Sequence, residues 1–324
     1  MKAAVVTEWG QSPTYTEFAD PQPGDGTVAV TVEASALTNL TKALISGKHY
    51  ASGELMLPAI PGADGVARLD DGRRVYTGAL APYGMMAERT LISAHGLVEL
   101  PAGVDAVTAA AVPNPGISAW AALEFAAALQ PGQNVLILGA TGVTGSMAAQ
   151  LATSVFGAGR VTVTGRDESR LRWLRTVGAD EALNLGDADV SEQISTLHAE
   201  RPFDVVLDYL WGNPAATALT ALAVAHPAGH HHRTRFVQIG SMAGPDIELP
   251  AAILRGTGIT MSGVGIGSVP PEVLARIRTE ALPRLFDMVA TGAIELRTLT
   301  RPLAEVTDAW TTAEPSGTRV VLTP

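Results

Sequence analysis

The stretch Val135–Ser146, VLILGATGVTGS, decides the fold. Four aliphatic residues run into three glycines spaced by threes, Gly139, Gly142 and Gly145. An apolar run that stops on glycines reads as a buried strand breaking into a tight turn. The following SMAAQLATSVFG carries a helical pattern. A glycine turn between strand and helix lets backbone N–H groups approach a pyrophosphate, and the helix N-terminus adds a favourable dipole. Such a triplet alone is a weak signal, and a packing turn is the bland alternative. The elements around it decide in favour of a nucleotide cradle.

Downstream, strand-like runs recur: NVLILG (134–139), RVTVT (160–164), EALNL (181–185), FDVVLDYL (203–210), RFVQIG (235–240) and GITMSGVG (258–265). Helical patterns lie between most of them. DESRLRWLRTV opens on Asp167 as a cap and stops at Gly178, and NPAATALTALAVAH offers Asn213 as a cap with Pro214 at the first helical position. Six strands with crossover helices predict an α/β fold with a doubly wound parallel sheet of Rossmann type. Before this series, KAAVVT, TVAVTVEASAL, RRVYTG and GLVEL are short β-branched runs separated by Pro- and Gly-rich turns. An alanine-rich helix, GISAWAALEFAAAL, links the two regions and is ended by Pro131-Gly132. The tail PPEVLARIRTEALPRLFDMVATG reads as a helix interrupted near Pro283, and the closing TRVVLT as a strand that returns to the first region. The expected division is therefore a discontinuous domain, 1–119 with 270–324, around a nucleotide-binding domain, 120–269.

Composition removes several chemistries. There are 22 basic against 32 acidic side chains, a net charge of −10, which argues against nucleic acid or an anionic membrane as a partner. The chain has no cysteine, so disulfides, thiolate nucleophiles and cysteine-bearing zinc sites are excluded. No apolar window approaches the roughly 18 residues of a membrane helix, and MKAAVVTEWG is too short in its apolar run for a signal peptide, so the expected location is cytoplasmic.

The choice of dinucleotide is made at the end of the second strand. An NAD site places an acid there to bind the ribose hydroxyls. This chain has Gly165, followed by Arg166, whose guanidinium suits a 2′-phosphate, while Asp167 reads as the next helix's cap. The predicted cofactor is NADPH. Thr141, Gly142, Val143, Thr144 and Gly145 would hold its pyrophosphate, and Gly165 and Arg166 its adenosine end. Asn184, Gly240, Ser241 and Gly265, near the ends of later strands, complete the expected set.

Several segments, in order, resemble one superfamily. MKAAVVTEWG, PGADGVARLDDGRRVY, APYGMMAE, ATGVTGSMAAQLA, VGAD and the closing GTRVVL are similar to the medium-chain dehydrogenase/reductases, and most of all to their zinc-free quinone oxidoreductase (zeta-crystallin-like) branch. The resemblance implies a β-rich GroES-like catalytic domain built from both chain ends with a Rossmann domain inserted, an active-site cleft between the two, and a homodimer formed through strand 258–267. Zinc-dependent members have Gly-His-Glu where this chain has Gly62-Ala63-Asp64, and no histidine lies between His49 and His95, so no metal is expected. The chain also departs from its zinc-free relatives. Asn184-Leu185 replaces their Asn-Tyr, and Asp208-Tyr209-Leu210-Trp211-Gly212 replaces Asp-x-Val-Gly-Gly.

The implied activity is hydride transfer to a quinone or an α,β-unsaturated carbonyl, a small-molecule substrate. A dedicated enoyl or ketone reductase is the nearer alternative, and a cofactor-binding sensor with little turnover the more distant one. ALTNLTKALISGKHY resembles the family's Asn-x-x-Asp…Gly-x-Tyr loop. Either Thr38 or Asn39 takes the Asn position, and Thr41 stands about where the Asp belongs. Tyr50 is the candidate donor of a hydrogen bond or proton, with lid packing as its alternative and His49 as its substitute. Asn114 falls where the family contacts the nicotinamide ribose or the substrate. Tyr83 reads as structural, and the cluster His230–His232 as a solvated loop.

Overall fold

A computed structural model describes residues 1–49, 52, 56–225 and 231–324. The chain divides into two compact units, 1–114 with 278–324, and 115–277.

The first unit is β-rich. Its N-terminal part contains β1 (Lys2–Val5), β2 (Thr14–Glu17), β3 (Thr27–Ala36), α1 (Asn39–Ile45), β4 (Asp64–Arg68), β5 (Arg74–Gly78), β6 (Arg89–Ser93), β7 (Val98–Glu99) and α2 (Ala106–Ala111). Helix α3 (Pro113–Trp120) starts at its end, on a proline whose fixed φ suits a first helical position. It then widens into a π-helical stretch, Ala121–Ala126, rather than continuing as one α-helix to Pro131.

The second unit holds β8 (Asn134–Leu138), α4 (Val143–Ser154), β9 (Arg160–Gly165), α5 (Glu168–Thr176), β10 (Glu181–Asn184), α6 (Val190–Glu200), β11 (Val205–Asp208), α7 (Gly212–Val224), β12 (Arg233–Gln238), α8 (Ala251–Gly256), β13 (Gly258–Gly263) and α9 (Pro271–Arg276). The chain then returns to the first unit with α10 (Leu282–Ala290), β14 (Arg297–Pro302), α11 (Val306–Thr311) and β15 (Thr318–Thr323). Between α9 and α10 the helix passes through a π-helical turn, Ile277–Ala281, and Pro283 lies just inside α10.

The six strands of the second unit form one parallel sheet, ordered β10-β9-β8-β11-β12-β13. All five residues of β8 are buried, as expected of a central parallel strand covered on both faces. On one face, Leu136, Leu138, Val206 and Phe236 pack with Ile194 of α6 and Leu219 and Leu222 of α7. Asp167 caps α5 as its sequence suggests, its carboxylate accepting from the Arg170 N–H at 3.1 Å. The start of α7 differs from expectation. Its N-cap is Trp211 (φ 55°), so neither Asn213 as cap nor Pro214 at the first position holds.

In the first unit, β15 closes the sheet by pairing antiparallel with β3 and parallel with β14. The final strand thus joins the N-terminal region through backbone hydrogen bonds across most of the chain length. Two apolar clusters back this sheet, one around Val30, Val32, Val75 and Ile92, the other around Leu37, Ile60, Met86, Val306 and Leu322.

Candidate active site

The glycine turn joins β8 to α4, and each glycine has its own reason. Gly139 has φ +83°, and a Cβ there would also meet Leu210 Cδ2 at 2.8 Å. A Cβ on Gly145 would stand 2.5 Å from the Gly139 carbonyl oxygen, so its absence lets the helix approach the strand end. Gly142 differs from both. It is the N-cap of α4, its φ of −75° suits any residue, and a Cβ would meet nothing closer than the Gly139 oxygen at 3.4 Å. Internal packing does not require glycine here. A missing side chain at this point leaves room for a group from outside, and no side chain caps the helix in its place. The first-turn N–H groups of α4 can therefore meet an anion.

Gly165, the last residue of β9, faces Thr141: a Cβ would lie 2.2 Å from Thr141 Cγ2. Arg166 is exposed and makes no hydrogen bond or ion pair among the described residues. Asn184, at the end of β10, accepts from the Gly186 N–H at 2.9 Å through Oδ1. Gly240 and Ser241 follow β12. Gly240 abuts Tyr209, whose carbonyl oxygen would be 2.7 Å from its Cβ, and Ser241 is exposed. Gly265 follows β13 and donates to Ser268 Oγ at 2.9 Å. All these residues belong to the second unit, and the ends of the first five strands carry all but Gly265 of the set.

The turn after β11 is unusually constrained. Asp208 is fully buried, and its Oδ1 accepts from the Leu210 and Trp211 N–H groups at 2.9 and 3.0 Å. Burial raises its pKa to about 6, against the pull of those two backbone donors. Trp211 and Gly212 follow at φ 55° and 58°. A tryptophan in this region is strained, and the Asp208 bonds hold it there.

The first unit carries the other candidates. Thr38 caps α1, accepting from the Thr41 N–H at 3.0 Å, and the two buried hydroxyls are 2.9 Å apart. Both are thus engaged with each other. Asn39, the first residue of α1, is exposed. Asn114 is half-buried, and its Oδ1 accepts from Arg319 Nη2 at 3.2 Å. Tyr50 lies outside the described residues. His49 does not, and its carbonyl accepts from the Ser52 N–H at 2.9 Å. Tyr83 packs edge-on against Phe18 and donates to the Asp20 carbonyl at 3.2 Å, as a structural residue does.

Sequence reasoning missed the group at the centre of this region. Arg319, in β15, is buried, donates through Nη1 to the Leu37 carbonyl at 3.1 Å and through Nη2 to Asn114. It thereby ties the segment leading into α1 to Asn114. Burial lowers its pKa to about 10, and the Asp64 carboxylate opposes that shift. Asp64 accepts a short hydrogen bond from Tyr76 Oη, and burial raises its pKa against the pull of Tyr76 and Arg319. The only sequence signal was a charged residue inside the otherwise apolar strand RVVL.

The histidine cluster also departs from the expected solvated loop. His230 lies outside the described residues and His231 is exposed, but His232 is partly buried, 3.4 Å from Asp204 Oδ1 and edge-on to His198.

Comparison with known proteins agrees with this geometry. Residues 143–284 match the family model described as zinc-binding dehydrogenase. A probable NADPH-dependent quinone reductase of Emericella nidulans is 26% identical, with all of both chains covered. The human quinone oxidoreductase is 26% identical over 74% of this chain and 73% of its own. The structure of the Thermus thermophilus quinone oxidoreductase, studied also in complex with NADPH, superposes with a TM-score of 0.80, at 26% identity and full coverage of both chains. By these matches the chain is similar to zinc-binding dehydrogenases and quinone oxidoreductases. Quinone oxidoreductases recur among these relatives, beside a mycocerosic acid synthase-like polyketide synthase of Mycobacterium tuberculosis, 27% identical over 92% of this chain and 14% of its own.

The family model's description raises the question of zinc. The donor set here does not fit it. The chain has no cysteine, Ala63 stands in the place of the family's histidine, and among the described residues no three His, Asp or Glu side chains come together. The residues around Gly142 do fit a dinucleotide, since the uncapped helix end and the open space lie together.

Proposed function

We propose that this protein is an NADPH-dependent, metal-free reductase that transfers hydride to a quinone or an α,β-unsaturated carbonyl. The observation that carries the reading is the strand-end pair Gly165-Arg166 beside the open cradle at Gly142. An exposed guanidinium with no partner among the described residues, where an acid would repel phosphate, suits a 2′-phosphate. The named relatives support the same reading. Bound NADPH supplies the hydride; the chain's work is to hold and orient it and to deliver a proton. The turn residues Thr141–Gly145 bind the pyrophosphate, Arg166 the adenosine end, and Gly240, Ser241 and Gly265 the remainder.

Quinones need little polarisation, so positioning supplies most of the acceleration. Enones need a proton at carbon and a donor at oxygen. Asn39, Asn114 and Tyr50 are the polar groups proposed to meet the acceptor. The edge strand β13, with exposed Ile266 beyond it, is the surface proposed to pair two copies into a homodimer.

Oxidation of NADPH at 340 nm against a panel of benzoquinones, enones and saturated ketones tests the reading. Turnover with quinones or enones and not with saturated ketones is expected. Tight NADPH binding without turnover of any acceptor would instead favour a sensor.

A further inference from the structure

The sheet reverses its winding between β8 and β11, and in such sheets ligands lie outside the carboxyl ends of the strands at that reversal. Tyr209 is the first residue after β11 and stands at that point. Its N–H donates to the Leu138 carbonyl, the last residue of β8, at 3.2 Å. On its other side its carbonyl oxygen abuts Gly240. It is thus bracketed by the glycine turn and by the loop after β12.

Tyr209 is 7% exposed, and among the described residues its hydroxyl has no hydrogen-bond partner. Its two successors, Leu210 and Trp211, pack on the helix-side core of α6 and α7, while Tyr209 itself stays out of that cluster. Burial pushes its pKa up. Tyrosine hydroxyls shielded from water are ordinarily paired, because a lost hydrogen bond to water must be replaced. The rigid turn keeps this one in place, through the two Asp208 bonds and the positive φ of Trp211 and Gly212. A residue so fixed, and so unsatisfied, is built for a partner that arrives.

The strand order says which part of that partner arrives there. With the adenosine end at Gly165 and Arg166 after β9, and the pyrophosphate at Gly142 after β8, an extended dinucleotide continues over β11 and β12. We infer that the Tyr209 hydroxyl is a hydrogen-bonding contact for the nicotinamide half of the cofactor, through its ribose or carboxamide. The inference rests on the proposed NADPH reading and adds to it a residue that positions the reactive ring.

The test uses the full chain, its Tyr209→Phe variant and two ligands. NADPH spans both halves of the site, whereas 2′,5′-ADP carries only the adenosine half. Tyr209→Phe should weaken NADPH by about threefold to tenfold, the range for one neutral hydrogen bond. It should bind 2′,5′-ADP as the unmodified protein does, and its unliganded melting temperature should be equal or higher, since the hydroxyl satisfies nothing in the free protein. Unchanged NADPH affinity would overturn the inference. Equal loss for both ligands, or a variant that fails to fold, would overturn it too, by assigning Tyr209 to packing. Failure of the unmodified protein to bind NADPH would strike the underlying reading instead.

Discussion

Thr141 fills the space that a side chain at Gly165 would need. A Cβ on Gly165 would come within 2.2 Å of Thr141 Cγ2 and 2.6 Å of its Oγ1. Threonine is stiff at χ1, so the clash is not relieved by a small rotation. The absent acid at the end of β9 and the threonine of the glycine turn are therefore one feature. Gly165→Asp alone is expected to destabilise the protein by about 1–3 kcal/mol without creating an NADH site. Paired with Thr141→Gly it should fold and gain NADH affinity. Melting curves and coenzyme titrations of the single and double variants check this.

Arg166→Ala isolates the charge. Losing a charge-assisted bond to the 2′-phosphate should cost about 1.5–3 kcal/mol of NADPH binding and leave NADH unaffected. A titration showing equal affinity of the unmodified protein for both coenzymes would refute the assignment.

Two glycines of the turn should part company. Gly142→Ala meets no internal obstacle, so its melting temperature should hold while NADPH affinity falls. Gly145→Ala would push a methyl against the Gly139 carbonyl and should cost about 1–3 kcal/mol of stability. If Gly142→Ala bound NADPH normally, the turn would be a packing device.

Asp208 gives a pH signature. Its folded pKa, about 6, lies above the ordinary 3.8, so the folded state holds its proton more tightly than the unfolded one. The resulting stabilisation is full below about pH 4 and is lost as pH rises through 6, a change of about 3 kcal/mol. Asp208→Asn keeps an acceptor for the Leu210 and Trp211 N–H groups and should remove this slope. Denaturant unfolding at pH 4, 5, 6 and 7 for both proteins makes the comparison.

Metal removal should be without effect. Exhaustive chelation is expected to leave NADPH oxidation unchanged, since the donor set offers zinc no soft ligands. One zinc per purified chain, with activity lost on its removal, would overturn the proposed chemistry.

The sequence by itself determined the parallel sheet, the glycine turn, the Asp167 cap and the return of TRVVLT to the N-terminal region. Each depends on patterns a few residues long: an apolar run, a spacing of glycines, a short polar residue before a helix. Tertiary structure decided the rest. Asn213 and Pro214 look like a helix start, yet α7 begins at Gly212, because the buried Asp208 carboxylate captures the Leu210 and Trp211 N–H groups and forces Trp211 to φ 55°. Thr38 and Thr41 look like weak stand-ins for catalytic groups, and folding spends them on each other. Arg319 meets Leu37 and Asn114 across 282 and 205 residues of chain. The Tyr209 hydroxyl is buried and, among the described residues, unpaired. Whether a polar group is satisfied depends on atoms brought from far along the chain, and local periodicity carries no record of them.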